Sequence, residues 1–317
     1  MKPSCAVLVL NHNGQVLLDR FLGSVVTAAD RARTCDVQVL LVDNRSTDGS
    51  PDWVRANLPQ VKALSAPANR YLYSLNWAAE QVDSDLIVLL NNDVEMVPDA
   101  LDPLFDTLLS GQRVFSAVPR ILGMDRVTPN SGRWLGHFYR GRMAITLTDT
   151  VDRIAPTLFS CGGGMAVRRR DFLRLGGFDE LYYPAYWEDV DLGYRAWKRG
   201  LASLCQPASV MYHLGSASMG ADPHLAPHRS SVTFRNMWLF TWRNVSDPRV
   251  LRSNLYWTAR HYGSSLRRGK KETLHMYRQA FARWRRAVLA RRQDDRQRVM
   301  SDWEVLQQVR ATGELSP

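Results

Sequence analysis

Two short acidic sequences, far apart in the chain, carry the side chains best suited to chemistry. Glu188, Asp189 and Asp191 stand together after an aromatic run, and Asp93 comes shortly after the apolar run 86–90. Acids at a helix start also offset the positive end of the helix dipole, so the first sequence alone has a structural explanation. An acid at the end of a buried parallel strand, however, lies at the ligand-binding edge of an open α/β sheet. We therefore expect one site, in which one acid binds a metal ion and another takes a proton.

The segments that must position these acids alternate between strand and helix. Apolar runs predict strands at 6–10, 37–42, 61–64, 85–90, 114–118, 165–167 and 210–212. Proline near a helix start marks Pro51 and Pro98, and further helices are predicted over 169–175 and 188–199. Short alternating pieces around 144–148 predict an antiparallel excursion. The pattern indicates an α/β fold with a Rossmann-like, mostly parallel central sheet flanked by helices.

Composition indicates a globular protein. Of 317 residues, 45% are hydrophobic and 23% are charged, which suffices for one large domain and an appendage. No apolar run approaches the roughly 20 residues that cross a bilayer, and Met1–Ser4 leads into a strand, so we expect a cytoplasmic protein. The cysteines lack the paired spacing of a zinc site or a disulfide framework and are expected to be buried thiols: Cys5, Cys35, Cys161 and Cys205.

The net charge of +10 is concentrated at the end of the chain. Residues 230–317 contain 18 Lys and Arg against 7 Asp and Glu, which leaves a net charge of −1 before them. These helical stretches combine arginine with tryptophan, as interfacial helices do: Trp238, Trp242, Trp257, Trp284 and Trp303. We expect the region to meet an anionic membrane surface on the inner face of the plasma membrane, while individual tryptophans more often pack on the domain. Nucleic acid is the competing, less expected partner.

The absence of two motifs argues against two functional classes. No Gly-x-Gly-x-x-Gly follows the first strand and no Gly-Lys-Ser phosphate loop occurs, so dinucleotide redox and ATPase functions lose their main support. Asp43 ends the second predicted strand, where an acid accepts hydrogen bonds from a base or a ribose. Asp48 and Ser50 are better explained as turn or helix-cap residues.

The order of the motifs resembles the inverting glycosyltransferases of family 2, which have the GT-A fold. The resemblance covers about residues 4–245 and rests on six sequences followed by His213: Val9–Gly14, Leu41–Ser50, Leu89–Val94, Cys161–Gly164, Gly176–Glu180 and Glu188–Leu192. Within the family, the chain looks most like rhamnosyltransferase-type enzymes that build bacterial surface polysaccharides. The resemblance implies transfer of a sugar from a nucleotide diphosphate, dTDP-rhamnose or a UDP-sugar, to a hydroxyl of a glycan or lipid-linked acceptor.

The resemblance also implies roles for single residues. Asp189 matches the family's base, and Asp93 with His213 would hold a divalent cation, Mg²⁺ or Mn²⁺. Nucleotide-sugar contacts are expected from Asn11, Asp43, Asn69, Asn76, Asn92 and Asp93. Acceptor contacts are expected from Gly163, Gly164, Trp187 and Glu188, the glycines because they let backbone approach a sugar closely. Asn91 stands where many GT-A enzymes have an aspartate, and Asp191 is expected to be structural.

The predicted organisation has two parts. Residues 1–229 form the catalytic domain, with a nucleotide-sugar half over 1–118 and an acceptor half over 119–229, and 230–317 form the basic helical C-terminal region. A second interpretation is a non-catalytic scaffold that binds a nucleotide or a polyanion through the same core. The joint retention of Asp93, Asp189 and His213 argues against it. Oligomeric state is not indicated.

Overall fold

The computed structural model describes residues 2–148, 151–215 and 229–311. Its strands are β1 (Ser4–Asn11), β2 (Asp36–Asp43), β3 (Lys62–Ser65), β4 (Leu86–Asn91), β5 (Val94–Met96), β6 (Val114–Gly123), β7 (Pro129–Ser131), β8 (Arg133–Tyr139), β9 (Arg142–Thr148), β10 (Ala155–Pro156), β11 (Gly164–Arg168) and β12 (Ala202–His213). Its helices are α1 (Gln15–Arg31), α2 (Ser50–Asn57), α3 (Ser74–Gln81), α4 (Leu101–Leu109), α5 (Arg169–Arg174), α6 (Glu188–Lys198), α7 (Arg229–Asn244), α8 (Pro248–Arg267), α9 (Lys271–Asp295) and α10 (Asp302–Arg310).

A central sheet organises the molecule. Its strand order is β10-β12-β6-β11-β4-β1-β2-β3, with β5 on β12 and β7 on β6. The strands β3, β2, β1, β4, β6 and β12 run in one direction, while β11 lies antiparallel between β4 and β6. The expected α/β fold with a mostly parallel sheet is confirmed. The hairpin of β8 and β9 forms the antiparallel excursion that the sequence predicted.

Both faces of the sheet are covered, which explains the continuous apolar run of β4. Val88 and Leu90 belong to the core beneath α1 and α4, whereas Ile87 and Leu89 belong to the core beneath α3 and α5. Successive side chains of a strand point to opposite faces, so a strand with helices on both sides is apolar at every position. The polar side chains that follow β4 therefore emerge at the end of a fully buried element.

The C-terminal helices share this core. Trp238, Phe240 and Tyr277 are buried in the same hydrophobic cluster as Val88 and the other strand residues on that face. Burial of such large aromatic side chains is a major favourable term in folding. The boundary between residues 229 and 230 stays a prediction, but α7 packs as part of the core. Within the described ranges, no helix combines the length and the apolarity that crossing a bilayer requires.

Candidate functional site

Polar side chains from β1 and β4 meet at the carboxyl edge of the sheet. Asn92 donates from Nδ2 to Oδ1 of Asn11 at 2.7 Å, and both residues are buried. Asn11 donates in turn to Oγ of Ser46, at 3.2 Å. A Cβ on Gly14 would lie 2.2 Å from Nδ2 of Asn92, so a larger residue at position 14 would displace the Asn92 amide. Gly14 and Ser46 are site residues that our assignments omitted, although both lie inside the sequences that carried the resemblance.

The end of β2 adds an acid with a free acceptor atom. Asp43 is 4% exposed; its Oδ2 accepts from the backbone N–H of Ser46 at 3.1 Å, and its Oδ1 has no hydrogen-bond donor. Asn69 connects to this strand end through Tyr71, whose N–H donates to Oδ1 of Asn69 and whose carbonyl accepts from Asn44. Buried acceptors without donors are rare because they forfeit hydration, so Asp43 points to a ligand that donates hydrogen bonds.

Asp93 and His213 face each other across neighbouring strands. Val94 and His213 are paired in the register of β5 and β12, and Nε2 of His213 lies 3.1 Å from Oδ1 of Asp93. Asp93 is 1% exposed, and its Oδ1 makes no hydrogen bond despite this proximity. Carboxylate oxygens and imidazole nitrogens are ligands of divalent cations, and these two atoms lie close enough together to bind one cation. Within the described residues no third His, Cys, Asp or Glu joins them, so a cation would need oxygen ligands from substrate and water.

Asp189 lies in the first turn of α6. Its Oδ1 accepts from the N–H of Val190 at 2.8 Å and its Oδ2 from the N–H of Gly162 at 3.4 Å. Burial raises the pKa of Asp189 to about 6, against the lowering effect of these N–H groups. The neighbouring Glu188 is 5% exposed, and burial followed by the charge of Asp189 raises its pKa well above the usual range. Asp189 is thus ionised at neutral pH yet close to the pKa at which a carboxylate is an effective proton acceptor.

The third acid of this sequence has a structural position, as expected. Asp191 is fully buried, and it accepts hydrogen bonds from Tyr182, Arg195 and Asn244 at 2.6 to 2.8 Å. Both carboxylate oxygens are used inside the protein. Asp191 therefore has no free atom for a ligand.

The loop 161–164 brings the two acidic sequences together. Asn91, two residues before Asp93, donates its backbone N–H to the carbonyl of Gly163 at 3.1 Å, while the N–H of Gly162 faces Asp189. A Cβ on Gly163 would lie 2.5 Å from Nδ2 of Asn91, and one on Gly164 would lie 2.8 Å from Ile121. A larger residue at either position would therefore displace a neighbouring side chain, so protein packing favours both glycines independently of any sugar.

Two residues expected to contact a ligand have side chains that are engaged within the protein. The amide of Asn76 is fully engaged with the backbone of Phe178, donating to its carbonyl and accepting from its N–H, both at 2.9 Å. The indole of Trp187 is 8% exposed and packs against Phe240 with ring centroids 5.2 Å apart. Their ligand roles remain predictions.

A cavity of about 850 Å³ lies elsewhere, between α5, α6 and α9. Four of the five arginines that line it are paired with acids: Arg195 with Asp191 at 2.6 Å, Arg199 with Asp294 at 2.8 Å, and Arg243 and Arg286 with Asp179 at 3.1 and 3.2 Å. Paired charges leave little attraction for a further ion. The strand ends, where Oδ1 of Asp43 and Oδ1 of Asp93 make no hydrogen bond, are the better candidate site.

Comparison with known proteins identifies the family to which the chain belongs. The family model described as "Glycosyl transferase family 2" matches residues 6–176. The chain belongs to this family and is a glycosyltransferase. It is 31% identical over 306 residues to the N-acetylglucosaminyl-diphospho-decaprenol L-rhamnosyltransferase of Mycobacterium tuberculosis, covering 85% of this chain and 96% of that protein.

Two further similarities extend the comparison. The O-antigen biosynthesis protein RfbC of Myxococcus xanthus is 31% identical over 236 residues, which cover 69% of this chain and 18% of that protein. A mannosyltransferase of Pyrobaculum calidifontis, solved with GDP-Man and Mn²⁺, superposes with a TM-score of 0.53. The two sequences are 16% identical, and the match covers 93% of this chain and 87% of that chain. The fold is the GT-A fold that the sequence predicted.

Proposed function

We propose that this glycosyltransferase moves a sugar from a nucleotide diphosphate to a hydroxyl of a glycan or lipid-linked acceptor, with inversion at the anomeric carbon. The observation that carries the proposal is the placement of Asp189 against the loop 161–164, which touches the strand end bearing Asp93. The proposed base and the proposed diphosphate-binding edge would then lie on either side of one loop. This arrangement suits direct displacement, because in that reaction the attacking oxygen and the leaving group lie in line.

The proposed base is Asp189. Inversion in one step requires removal of the acceptor proton as the new bond forms, and an ionised carboxylate with a raised pKa accepts that proton well. Glu188, which holds its proton more tightly, would bind an acceptor hydroxyl through its unpaired Oε2. The two neighbouring acids thus divide the roles of proton acceptor and acceptor contact.

On the donor side, Asn11, Asp43, Asn69 and Asn92 would bind the nucleoside and the phosphates. Asp93 and His213 would hold a divalent cation, Mg²⁺ or Mn²⁺, through Oδ1 and Nε2. A bound cation would offset the negative charge of the departing nucleotide diphosphate. The Mn²⁺ in the archaeal mannosyltransferase structure supports a cation in general.

The names of two relatives support a particular choice of donor and acceptor. The mycobacterial relative is named as an L-rhamnosyltransferase acting on a diphospho-decaprenol, and the myxobacterial one as an O-antigen biosynthesis protein. We therefore favour dTDP-rhamnose as the donor, with a UDP-sugar as the alternative, and a polyprenyl-diphosphate-linked glycan of surface polysaccharide synthesis as the acceptor.

A thermal-shift screen of nucleotide sugars tests the donor assignment. The cognate donor should raise the melting temperature by mass action, more with Mg²⁺ or Mn²⁺ than with a chelator. Asp189→Asn should retain this shift while losing transfer, because it removes the base and leaves the strand ends intact. Unchanged turnover in Asp189→Asn would disprove the base, and a screen without any response would favour a scaffold with a GT-A core.

We further propose that an anionic membrane surface is the partner of α8 and α9. Residues 248–295, which span both helices, contain 13 Lys and Arg and three acids: Glu272, whose carboxylate binds Ser231, and Asp294 and Asp295 at the end of α9. Large apolar side chains of these two helices face solvent: Leu255, Tyr256, Leu266, Phe281, Trp284 and Leu289. Exposed apolar groups among cations match the chemistry of an anionic bilayer interface. A nucleic acid offers the same charge but no apolar phase for these side chains.

A further inference from the structure

The backbone that leads into the proposed base is held in an unusual conformation. Tyr186 and Trp187 have φ angles of 71° and 78°, in the left-handed region that residues other than glycine rarely occupy. They directly precede Glu188 and Asp189, the first residues of α6. Such a conformation persists only where the surroundings fix it. Contacts from outside this segment must therefore decide where α6 begins and where Asp189 points.

Those contacts come from α7, in the region that the sequence assigned to the basic tail. Asn236 is fully buried, and its Nδ2 lies 2.7 to 2.8 Å from the carbonyl oxygens of Tyr182, Ala185 and Tyr186. One amide group thus joins both ends of the segment 182–186. No other residue type of this size places a neutral double donor against carbonyls.

Arg235 completes the same contact. Its Nη2 donates to the carbonyls of Tyr182 and Tyr183 at 3.2 and 2.6 Å, and its Nε donates to Oδ1 of Asn236 at 2.9 Å. The last bond fixes the orientation of the Asn236 amide, so that its donor end faces the segment. Burial and the nearby Arg283 lower the pKa of Arg235 to about 10, which leaves it charged at neutral pH.

Two residues in the next two turns of α7 contact the start of α6. Phe240 packs against Trp187 and Tyr194, with ring centroids 5.2 and 5.3 Å away, and Asn244 donates to Oδ1 of Asp191 at 2.7 Å. Asn236, Phe240 and Asn244 are spaced by four residues and so lie on one face of the helix. This face contacts the segment before α6 through Asn236, and α6 itself through Phe240 and Asn244.

We propose that Arg235 and Asn236 are positioning residues for the transfer reaction, which hold the segment 182–187 so that Asp189 faces the loop 161–164. The proposal rests on the proposed role of Asp189 as the base. Neither residue contacts the strand ends that would bind the donor. Their loss should therefore lower kcat while leaving donor affinity unchanged, because only the direction of the base is disturbed.

Asn236→Ala tests this, with Asn254→Ala as the matched control. Asn254 is equally buried and hydrogen-bonded, to Gly141 at 2.9 Å and Trp242 at 3.1 Å, but it contacts the turn between β8 and β9. Asn236→Ala should reduce kcat by about 100-fold, the usual effect of displacing a catalytic group by an ångström, with the donor KM within about threefold. Asn254→Ala should keep kcat within about threefold of wild type.

Hydrogen exchange provides a readout independent of catalysis. Backbone amides of residues 182–191 should exchange faster in Asn236→Ala than in Asn254→Ala at matched loss of melting temperature. If Asn236→Ala does not fold, Arg235→Lys, which keeps the charge but shortens the reach to Tyr183, should show a smaller effect in the same direction.

The outcomes separate this proposal from the function on which it rests. Inactive Asp189→Asn together with wild-type kcat in Asn236→Ala would overturn the positioning role and leave the base intact. An equal loss of kcat in Asn254→Ala would likewise overturn it. Active Asp189→Asn would overturn the base, and unchanged exchange over 182–191 in Asn236→Ala would then also overturn the positioning role.

Discussion

At the scale of single residues, the ionisation of Asp189 should control the reaction. Burial raises its pKa to about 6, so the fraction of ionised base falls as the pH drops through that value. We expect kcat to be constant above about pH 7 and to fall about tenfold per pH unit below about pH 6, since only the carboxylate accepts a proton. Single-turnover rates between pH 4.5 and 8 measure this fall at low pH, the acidic limb of the pH profile.

The variant Glu188→Gln tests which carboxyl group causes the fall of kcat at low pH. Burial is the leading cause of the raised pKa of Asp189, so the acidic limb should persist near pH 6 when the Glu188 carboxyl is removed, at a lower overall rate. Disappearance of the limb in this variant would assign it to Glu188 and refute Asp189 as the titrating base.

Two buried carboxylate oxygens mark the proposed donor side. Oδ1 of Asp43 and Oδ1 of Asp93 make no hydrogen bond, although Nε2 of His213 lies 3.1 Å from the latter, and a buried acceptor without a hydrogen bond is costly. Their positions after apolar runs were visible in the sequence, because strand ends follow from hydrophobic pattern alone. The sequence did not show that these particular oxygens lack hydrogen-bond partners, because the partners depend on which donors the neighbouring loops supply.

At the scale of elements, the contact between the Asn11 and Asn92 side chains beyond β1 and β4 leaves no room for a side chain at Gly14. A Cβ there would lie 2.2 Å from Nδ2 of Asn92 and 2.6 Å from Oδ1 of Asn11. Gly14→Ala should break the bond between these two amides and weaken donor binding by about tenfold, in line with one lost buried hydrogen bond and a displaced partner. Isothermal titration with the cognate nucleotide sugar measures the effect.

Gly23→Ala is the matched control for this change. Gly23 lies inside α1, where an added Cβ would meet no atom within 4 Å. Alanine there should increase the free energy of unfolding by up to about 1 kcal/mol through helix propensity, with donor affinity unchanged. Equal donor affinity in both variants would contradict the role assigned to Gly14.

The helices of the C-terminal region divide into two kinds. In α7, Trp238 and Trp242 are 1% and 8% exposed, so they pack in the core as the structural interpretation of the tryptophans expected. In α9, Trp284 is 50% exposed. The sequence showed the same Arg and Trp mixture throughout, because the direction a helix face takes is decided only by what packs against it.

At the scale of the whole molecule, the charge asymmetry predicts binding to anionic vesicles through α8 and α9. Replacing Arg267, Arg268, Lys270 and Lys271 by Ala should lower partitioning onto phosphatidylglycerol vesicles by at least about tenfold, since each charge contributes about 1 kcal/mol near such a surface. Flotation at rising salt should show progressive loss of binding through screening.

Trp284→Ala should also weaken flotation, and Trp303→Ala is its matched control. Both indoles are 50% exposed, but Trp303 lies in α10 and donates to Asp247 at 2.7 Å. Equal losses in both variants, or equal flotation on neutral phosphatidylcholine vesicles, would contradict a specific surface on α8 and α9. Deletion of residues 230–317 is unsuitable for this purpose, because α7 contacts the segment before Asp189.

The sequence by itself determined the α/β class and the strand ends that carry Asn11, Asp43, Asn92 and Asp93. These follow from apolar runs whose period and length are local properties of the chain. The sequence also predicted a structural role for Asp191, which the network around it bears out. Resemblance added the proposed roles of Asp189 and His213, which local pattern could not distinguish from an ordinary helix start and a strand end.

Only the tertiary structure decided which elements meet. It placed the loop 161–164 between Asp189 and the end of β4, filled the space beside Gly163 with Asn91, and brought Asn236 to the segment before α6. The physical reason is that hydrophobic periodicity specifies which face of an element is buried but not which partner covers it. Partner choice depends on side-chain shape and on satisfying buried donors and acceptors across distant parts of the chain.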